Sequence, residues 1–307
     1  MVERYKSSVS PKQNFLLYAR FGRRALRRFR QSLRYGRRAL SQSPILFANS
    51  FPKSGTHLLT QVMQGFTHIG PAVVSGLPAV VTFDGLTGRQ RSESEILSDL
   101  GILLPGDVAY GHVHAFPGAL AYLCQPGFAA FFILRDPRDV AVSHVHYVAE
   151  MAPNHIHHRY YQEALHTFDE RLQASIAGVS QAAFQQKYGA DTQALLPHIR
   201  ERFEPYLGWL EQPGVLALRY EIFSSDRQAA LASVFDHAVR RGFVCRLDLQ
   251  AALEALSKSI DPQRSPTFRS GKTGGWRAVF TPAHKALFKE ICGDLLIRLG
   301  YETNQDW

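Results

Sequence analysis

The sequence predicts an α/β protein built on a three-layer, doubly wound and mostly parallel β-sheet. Two unbroken apolar runs, residues 45–48 (ILFA) and 128–134 (FAAFFIL), have the composition of strands buried on both faces. Each run leads through a polar turn into a helix, the order in which parallel strands are connected. A third run, residues 215–220 (VLALRY), predicts another strand. The last helix is predicted from an N-cap at Thr281 to about Leu299.

Composition divides the chain into two parts near residue 42. Residues 1–42 are expected to form a basic arm, and residues 43–307, with most of the apolar content, the globular domain. Residues 1–40 carry twelve Lys and Arg against one acid, Glu3; the net charge of +9 therefore leaves −2 for the remainder. Because the domain itself is not basic, nucleic acid is not an expected partner.

The arm has the pattern of a basic amphipathic helix. Apolar residues recur at helical spacing through residues 14–40, where there are nine arginines and no acid. Glycines at positions 22 and 36 are points at which the helix could be interrupted. Two interpretations remain open: the helix lies on an anionic membrane surface, or it covers the domain with a solvated cationic face.

The sequence has no apolar run long enough for a membrane span and no signal-peptide core. Its three separated cysteines, Cys124, Cys245 and Cys292, form no CxxC pair and fit a reducing compartment. We therefore expect a cytoplasmic protein, peripheral on the inner face of a membrane if the arm binds lipid. The sequence leaves the oligomeric state open.

A phosphate-binding loop is predicted between the first strand and its helix. The stretch Pro52–Thr56 reads PKSGT, in which the lysine precedes the glycine, unlike the Walker order. The amides and dipole at the helix N-terminus favour an anion. Lys53 adds a cation, and Ser54 and Thr56 add hydroxyl groups.

This loop closely resembles the 5′-phosphosulfate loop of sulfotransferases that use 3′-phosphoadenosine 5′-phosphosulfate (PAPS). Three more blocks follow in the family's order: residues 135–143 (RDPRDVAVS), 218–221 (LRYE) and 268–277 (FRSGKTGGWR). The resemblance covers about residues 43–301. It implies a P-loop-like sulfotransferase domain that transfers the sulfuryl group of PAPS, in line, to a hydroxyl-bearing acceptor.

The resemblance also implies the donor-binding residues. The 5′-phosphosulfate would be held by the loop and the first turn of the helix, which comprise Lys53, Ser54, Gly55, Thr56, His57 and Leu58. The 3′-phosphate would be held by an arginine at a strand end, a serine eight residues later and a closing loop, which are Arg135, Ser143, Arg269, Ser270 and Gly271. Tyr220 would contact the adenine.

Two residues are expected to carry the chemistry. Lys53 would stabilise the bridging oxygen as it leaves. His112, at the end of a short strand ahead of Arg135, matches the family's base and would take the acceptor proton. His114 is the alternative base, since on an extended chain it lies on the same side; both histidines could also be polar loop residues. Sulfuryl transfer demands no metal, and none is assigned.

The chain departs from the family pattern at several positions. Thr56-His57-Leu58 stands where cytosolic members continue Thr-Thr-Trp, so the tryptophan that stacks on adenine is missing. Tyr110 replaces a lysine near the base, and Ser270 and Gly275 replace a Lys and an Asp. By analogy these departures favour bacterial-type enzymes or those acting on carbohydrate or lipid. The acceptor itself cannot be identified from the sequence.

Parts of the sequence also suggest other functions. The histidines at 144, 146, 155, 157 and 158 could suggest a metal site, but residues 155–158 lie in a polar segment that is expected to be flexible and has no Cys or acidic partner nearby. A P-loop nucleotide or nucleoside kinase would need Mg²⁺ ligands, for which Ser54 and Asp136 are available. A non-catalytic, membrane-associated nucleotide-binding protein is the third alternative.

Overall fold

The computed structural model describes residues 11–85, 87–265 and 271–307. Six strands form one sheet in which every paired neighbour is parallel. The strands are β1 Ile45–Ser50, β2 Val73–Val74, β3 Val80–Val81, β4 Asp107–His112, β5 Phe128–Leu134 and β6 Val215–Arg219. They are ordered β2-β4-β1-β5-β6, and β3 also pairs with β4. The strand order reverses at β1, the point at which open α/β sheets hold ligands.

Helices cover both faces of this sheet, which confirms the predicted fold class. They are α1 Pro11–Tyr35, α2 Arg37–Gln42, α3 Thr56–Ile69, α4 Glu93–Gly101, α5 Pro117–Cys124, α6 Pro137–His146, α7 His158–Glu163, α8 Phe168–Ala177, α9 Gln181–Tyr188, α10 Ile199–Leu207, α11 Ile222–Ser225, α12 Arg227–Arg240, α13 Leu249–Lys258, α14 Pro282–Cys292 and α15 Leu295–Arg298. A π-helical turn, Tyr147–Met151, extends α6. Short 3₁₀ turns cover Gly208–Glu211, Pro262–Arg264 and Gly275–Ala278.

Alternate residues of the central strands point to opposite faces, and both faces are buried. In β1, Ile45 and Phe47 join one apolar cluster, and Leu46 and Ala48 join another. α4, α5, α6, α8, α10 and α14 contribute to the first cluster, and α3, α12 and α13 to the second. The continuous apolar runs of the sequence are explained by this double burial.

Two helix boundaries follow from glycine conformation. α1 continues through Gly22 and ends before Gly36, whose φ of 94° is unfavourable for a residue with a side chain. The prediction of one last helix to about Leu299 is wrong. Thr281 caps α14 as expected, but α14 ends at Cys292 because Gly293 adopts a φ of 53°, and α15 follows as a separate short helix.

α1 docks on the domain through its arginines. Arg24 is buried and forms an ion pair with Asp107, the first residue of β4, to which Arg28 Nη1 also donates at 3.0 Å. Arg20 and Arg27 donate to backbone carbonyls of the segment between β2 and β3. Part of the arginine content of the arm is therefore used in packing rather than solvated. Within the described residues, no helix is long and apolar enough to cross a membrane.

We predict that Arg24→Ala destabilises the domain strongly. Asp107 is fully buried, and burial already raises its pKa against the effect of the arginines. Removing one partner of a buried ion pair typically costs several kcal/mol, and we expect about 3 kcal/mol because Arg28 remains. Urea unfolding measures the change. Arg30→Ala, at an exposed position of α1, is the matched control and should cost under about 0.5 kcal/mol; equal losses would contradict the assigned role of Arg24.

Candidate active site

The loop after β1 forms a concave backbone at the N-terminus of α3. The Phe51 amide donates to the Ile133 carbonyl at 3.0 Å, which fixes the start of the loop on β5. Lys53 has a φ of 68°, a left-handed conformation that a non-glycine residue adopts at an energetic cost. Gly55 has a φ of 101°, and a Cβ there would lie 2.5 Å from the Tyr220 ring. These two conformations shape the turn that leads into the N-terminus of α3, where backbone amides without a helical acceptor favour an anion.

The side chain of Lys53 is held beside the loop by an aromatic ring. Its Nζ lies 4.0 Å from the centroid of the Tyr147 ring, in the π-helical turn after α6. Burial, together with the nearby positive charge of Arg135, lowers the pKa of Lys53 to about 8. No sequence pattern indicated that Tyr147 belongs to the site, because only the tertiary packing of the turn brings it there.

His112 is attached directly to the end of β1. Its Nδ1 lies 2.9 Å from the Ser50 carbonyl oxygen, so Nδ1 carries the proton and donates it, and Nε2 keeps a lone pair. Burial lowers the pKa of His112, and the charges of His57 and Lys53 lower it further, against the effect of the Ser50 hydrogen bond. His112 is therefore a neutral imidazole at pH 7 with one basic nitrogen available.

Two polar residues of β1 connect the base to the loop, and sequence reasoning missed both. Ser50 Oγ lies 3.1 Å from His112 Nδ1 and 2.8 Å from Thr56 Oγ1. The Asn49 side chain pairs with both the amide (2.9 Å) and the carbonyl (3.0 Å) of Val113, the residue after His112. The available signal was two polar residues, Asn49 and Ser50, at the end of an otherwise apolar strand.

His114 has different surroundings from His112. Its ring packs edge-on against Phe83 and Tyr206, and burial lowers its pKa to about 4. Its amide donates to Thr82 Oγ1 at 3.0 Å. The two candidate bases therefore differ in their contacts, since of the two only His112 is hydrogen-bonded to Ser50 at the end of β1.

Arg135 follows β5 and is surrounded by the other candidate groups. Its guanidinium lies 4.7 Å from the centroid of the Tyr220 ring, and Nη2 donates to Asp139 Oδ2 at 3.2 Å and to the Lys272 carbonyl at 2.6 Å. Arg135 Nε is buried and has no hydrogen-bond partner among the described residues. The ion pair with Asp139 thus leaves donor capacity on the guanidinium.

Asp139 connects Arg135 to the segment that begins at Gly271. Its carboxylate accepts the amides of Gly274 at 2.7 Å and Trp276 at 3.0 Å. Tyr220 also contacts the segment, because its hydroxyl donates to the Gly271 carbonyl at 3.2 Å. Arg269 and Ser270 lie outside the described residues. The structure thus brings Gly271, Tyr220 and Arg135 together, as the motif order implied.

The remaining predicted residues lie on α3 and α6 or in the loop itself. Ser54 is fully buried, and its Oγ has no hydrogen-bond partner within the described part of the chain. Partial burial and the charge of Lys53 lower the pKa of His57. Leu58 packs partly against the apolar cluster around α3, and Ser143 is half-buried on α6. An unpaired buried hydroxyl in a cationic loop is suited to a bound anion.

Three further histidines lie next to the site: His144 on α6, and His155 and His157 in the segment that the sequence suggested was flexible. His144 and His157 are buried, and His155 is half-buried. Burial lowers the pKa of His155 to about 4 and that of His157 to about 3, and it lowers that of His144 as well. The His155 ring packs edge-on against Tyr147, the ring beneath Lys53. The three rings are therefore neutral and ordered by packing.

Comparisons with known proteins identify the fold. Neither a protein-family model nor a curated protein sequence matches the chain. Among solved structures, mouse sulfotransferase SULT7A1 complexed with PAP matches with a TM-score of 0.51 and 20% identity, over 85% of this chain and 88% of that one. Retinol dehydratase with androsterone and the inactive cofactor PAP matches with a TM-score of 0.54 and 16% identity, over 87% and 85%.

A second retinol dehydratase structure, with retinol and PAP, gives a TM-score of 0.53 at 15% identity, over 84% of this chain and 83% of that one. The chain therefore has the sulfotransferase fold. This agrees with the family that the motifs PKSGT and RDPRDVAVS resemble.

We predict that anion binding at this site weakens as the pH rises through about 8. Lys53 has a lowered pKa, so its charge is present below that value and lost above it. The affinity for adenosine 3′,5′-bisphosphate (PAP) should therefore be lower at about pH 9 than at about pH 7. The phosphates of PAP stay ionised over this range. Lys53→Arg, which stays charged, is the control and should bind equally at both values. A wild-type affinity that does not change with pH would contradict the assignment.

Proposed function

We propose that the protein is a PAPS-dependent sulfotransferase, which transfers the sulfuryl group to a hydroxyl of a carbohydrate, a lipid or a small alcohol or phenol. The proposal rests on one observation: hydrogen bonds connect the candidate base, His112, to the loop after β1. His112 donates Nδ1–H to the Ser50 carbonyl, and Ser50 and Thr56 join it to the loop that presents Lys53. A general base and an anion-binding loop are thus held as one piece at the strand ends.

In this proposal the loop binds the 5′-phosphosulfate. The amides of Gly55, Thr56 and His57 belong to the first turn of α3 or precede it, where backbone donors have no acceptor within the helix. Lys53, and the buried hydroxyl of Ser54, add a charge and a further donor. Lys53 then stabilises the negative charge that grows on the bridging oxygen as it leaves.

The 3′-phosphate is assigned to Arg135, with Ser143, Arg269, Ser270 and Gly271 as the other members of its site. A guanidinium with spare donors suits a phosphate dianion. Tyr220 would contact the adenine: its ring lies against Gly55 and beneath Arg135, between the two phosphate positions. Retinol and androsterone are held by the retinol dehydratase structures, and an acceptor of that hydroxyl-bearing kind is consistent with a neutral base.

His112 Nε2 would accept the proton of the attacking hydroxyl. The low pKa keeps this nitrogen unprotonated at pH 7, and the Nδ1 hydrogen bond orients the ring. Sulfuryl transfer develops less charge than phosphoryl transfer, so we expect no metal ion on the donor. The kinase alternative loses support because Asp136 accepts four hydrogen bonds from three nitrogens of Arg138 and is committed to that pair.

We predict that the protein transfers label from radiolabelled PAPS to at least one acceptor class, and that His112→Ala lowers kcat by about 10²–10⁴-fold. The affinity for PAP should change little, because His112 does not bind the donor. His114→Ala is the matched control and should retain most activity. Transfer of phosphate from ATP with Mg²⁺ would favour the kinase, and binding of PAP without any transfer would favour the non-catalytic alternative. A larger loss in His114→Ala would reassign the base.

We also propose that α1 brings the enzyme to an anionic membrane surface. With four arginines turned toward the domain, a row of apolar side chains on the opposite side of α1 faces solvent: Tyr18 (49% exposed), Leu26 (50%), Phe29 (53%) and Leu33 (72%). Arg23, Arg30 and Arg34 are exposed beside this row. An apolar stripe bordered by arginines suits lipid tails and anionic headgroups together.

We predict that replacing Leu26, Phe29 and Leu33 by serine reduces binding to phosphatidylserine vesicles by more than about tenfold, because apolar insertion supplies much of the affinity of such helices. Co-sedimentation at low and high salt measures it; binding by the wild type should weaken at high salt and on neutral vesicles. The matched control replaces three exposed apolar residues elsewhere, Val244, Leu247 and Leu249. Equal sedimentation of the two triple variants would remove the membrane proposal and leave α1 as a cover.

A further inference from the structure

The side chains of His144, His155 and His157 come together beside α6. His144 lies on α6, and His155 and His157 lie in the turn before α7. One ring nitrogen of each lies within 4.8 Å of those of the other two. The histidines at 146 and 158 face other partners, Glu150 and the Val148 carbonyl. The sequence has five histidines in this region, and the fold brings three of them together.

Hydrogen bonds to the far nitrogens orient two of these rings. His157 Nε2 donates to the Leu195 carbonyl at 3.0 Å, which leaves a lone pair on Nδ1. That Nδ1 is buried and has no hydrogen-bond partner among the described residues. His144 Nδ1 lies 3.2 Å from Ser175 Oγ, which itself donates to the Ala141 carbonyl at 3.0 Å. His144 Nδ1 also lies 3.4 Å from the Tyr161 hydroxyl oxygen. Because Ser175 gives its proton to Ala141, Nδ1 is the donor to Ser175, and in this tautomer Nε2 keeps the lone pair.

The third ring is held against the same turn. His155 Nδ1 accepts a hydrogen bond from the His157 amide at 3.2 Å, so Nδ1 holds the lone pair of this ring and would exchange that bond for a bound ion. The His155 ring packs on both His157 and His144. Outer hydrogen bonds that fix the tautomer and direction of an imidazole are typical of metal-binding histidines. A buried imidazole nitrogen without a hydrogen-bond partner, such as His157 Nδ1, is costly unless another group or an ion pairs with it.

We propose that His144, His155 and His157 bind a divalent transition-metal ion of the zinc class through three imidazole nitrogens, with a fourth position open. Three nitrogen ligands without a carboxylate suit Zn²⁺ or Co²⁺ and do not suit Mg²⁺ or Ca²⁺. A tetrahedral ion holds such nitrogens roughly 3.4 Å apart, so the side chains would converge by about 1 Å. The proposal goes beyond sulfuryl transfer and does not depend on it.

The position of this site suggests what the ion does. It would join α6 to the turn before α7, on either side of the π-helical turn that carries Tyr147. His155 packs on Tyr147, and Tyr147 lies beneath Lys53. The ion would therefore stabilise the wall of the site, as a positioning element that does not touch the donor.

Cobalt(II) tests the site directly, because a tetrahedral Co²⁺ ion absorbs strongly in the visible region. Tag-free full-length protein should take up one Co²⁺ with tetrahedral d–d bands, and Zn²⁺ should abolish them by displacement. His155→Gln, at the least buried ligand, should lower the affinity for Co²⁺ at least tenfold. His146→Gln, on the same segment but outside the cluster, is the matched control and should bind as the wild type does.

A second readout keeps the test independent of folding defects in the variant. Zn²⁺ should raise the melting temperature of the wild type and of His146→Gln but not that of His155→Gln, since only a folded site binds the ion. Octahedral Co²⁺ spectra, absent uptake, or equal affinity in His155→Gln would overturn the proposal. A thiolate charge-transfer band would also overturn it, because it would place the ion at one of the cysteines.

Discussion

The parallel pairing of β1 with β4 on one side and β5 on the other is the constraint on which the rest of the site depends. In this register Asn49 lies opposite Gly111 and Phe132, and Ser50 lies opposite Ile133. The carboxyl ends of three strands therefore meet within one or two residues of the loop. His112 is the last residue of β4, Arg135 directly follows β5, and Lys53 lies three residues after β1, so no long segment separates any of them from its strand.

The positive charges of Lys53 and Arg135 at this edge of the sheet favour the binding of an anion. Lys53 and Arg135 are close enough that Arg135 contributes to the lowered pKa of Lys53, and Lys53 in turn lowers the pKa values of His57 and His112. These like charges repel one another when no anion is present. A bound phosphate or phosphosulfate would offset this repulsion. The charge of Lys53 also lowers the pKa of His112 and so helps to keep the proposed base neutral. In the proposed mechanism, one arrangement would serve donor binding and proton acceptance together.

Much of the fold could be predicted from the sequence because strands buried on both faces leave an unbroken apolar run. The runs at 45–48 and 128–134, and all but the last residue of the run at 215–220, lie in parallel strands. The hydrogen bond between Ser50 and His112 could not be predicted, because it depends on β4 lying next to β1, which no local pattern records. The same holds for Tyr147 beneath Lys53.

The arm and the histidines show the same limit. Helical spacing predicted a stripe on α1, but the sequence could not indicate which side docks. The pairing of Arg24 with Asp107 joins residues 83 positions apart and turns the apolar row outward. The segment around His155 was expected to be flexible because it is polar, yet tertiary packing buries His157 and brings His144 to it.

The central claim is that this sheet edge binds a nucleotide with two phosphate groups, one at the loop and one at Arg135. The most direct test is titration of the wild type and Arg135→Ala with PAP and with adenosine 5′-monophosphate, which lacks the 3′-phosphate. We expect the wild type to bind PAP much more tightly, and Arg135→Ala to lose about 2–5 kcal/mol for PAP with little change for the monophosphate. Equal losses for both nucleotides, or no preference for PAP in the wild type, would contradict the account.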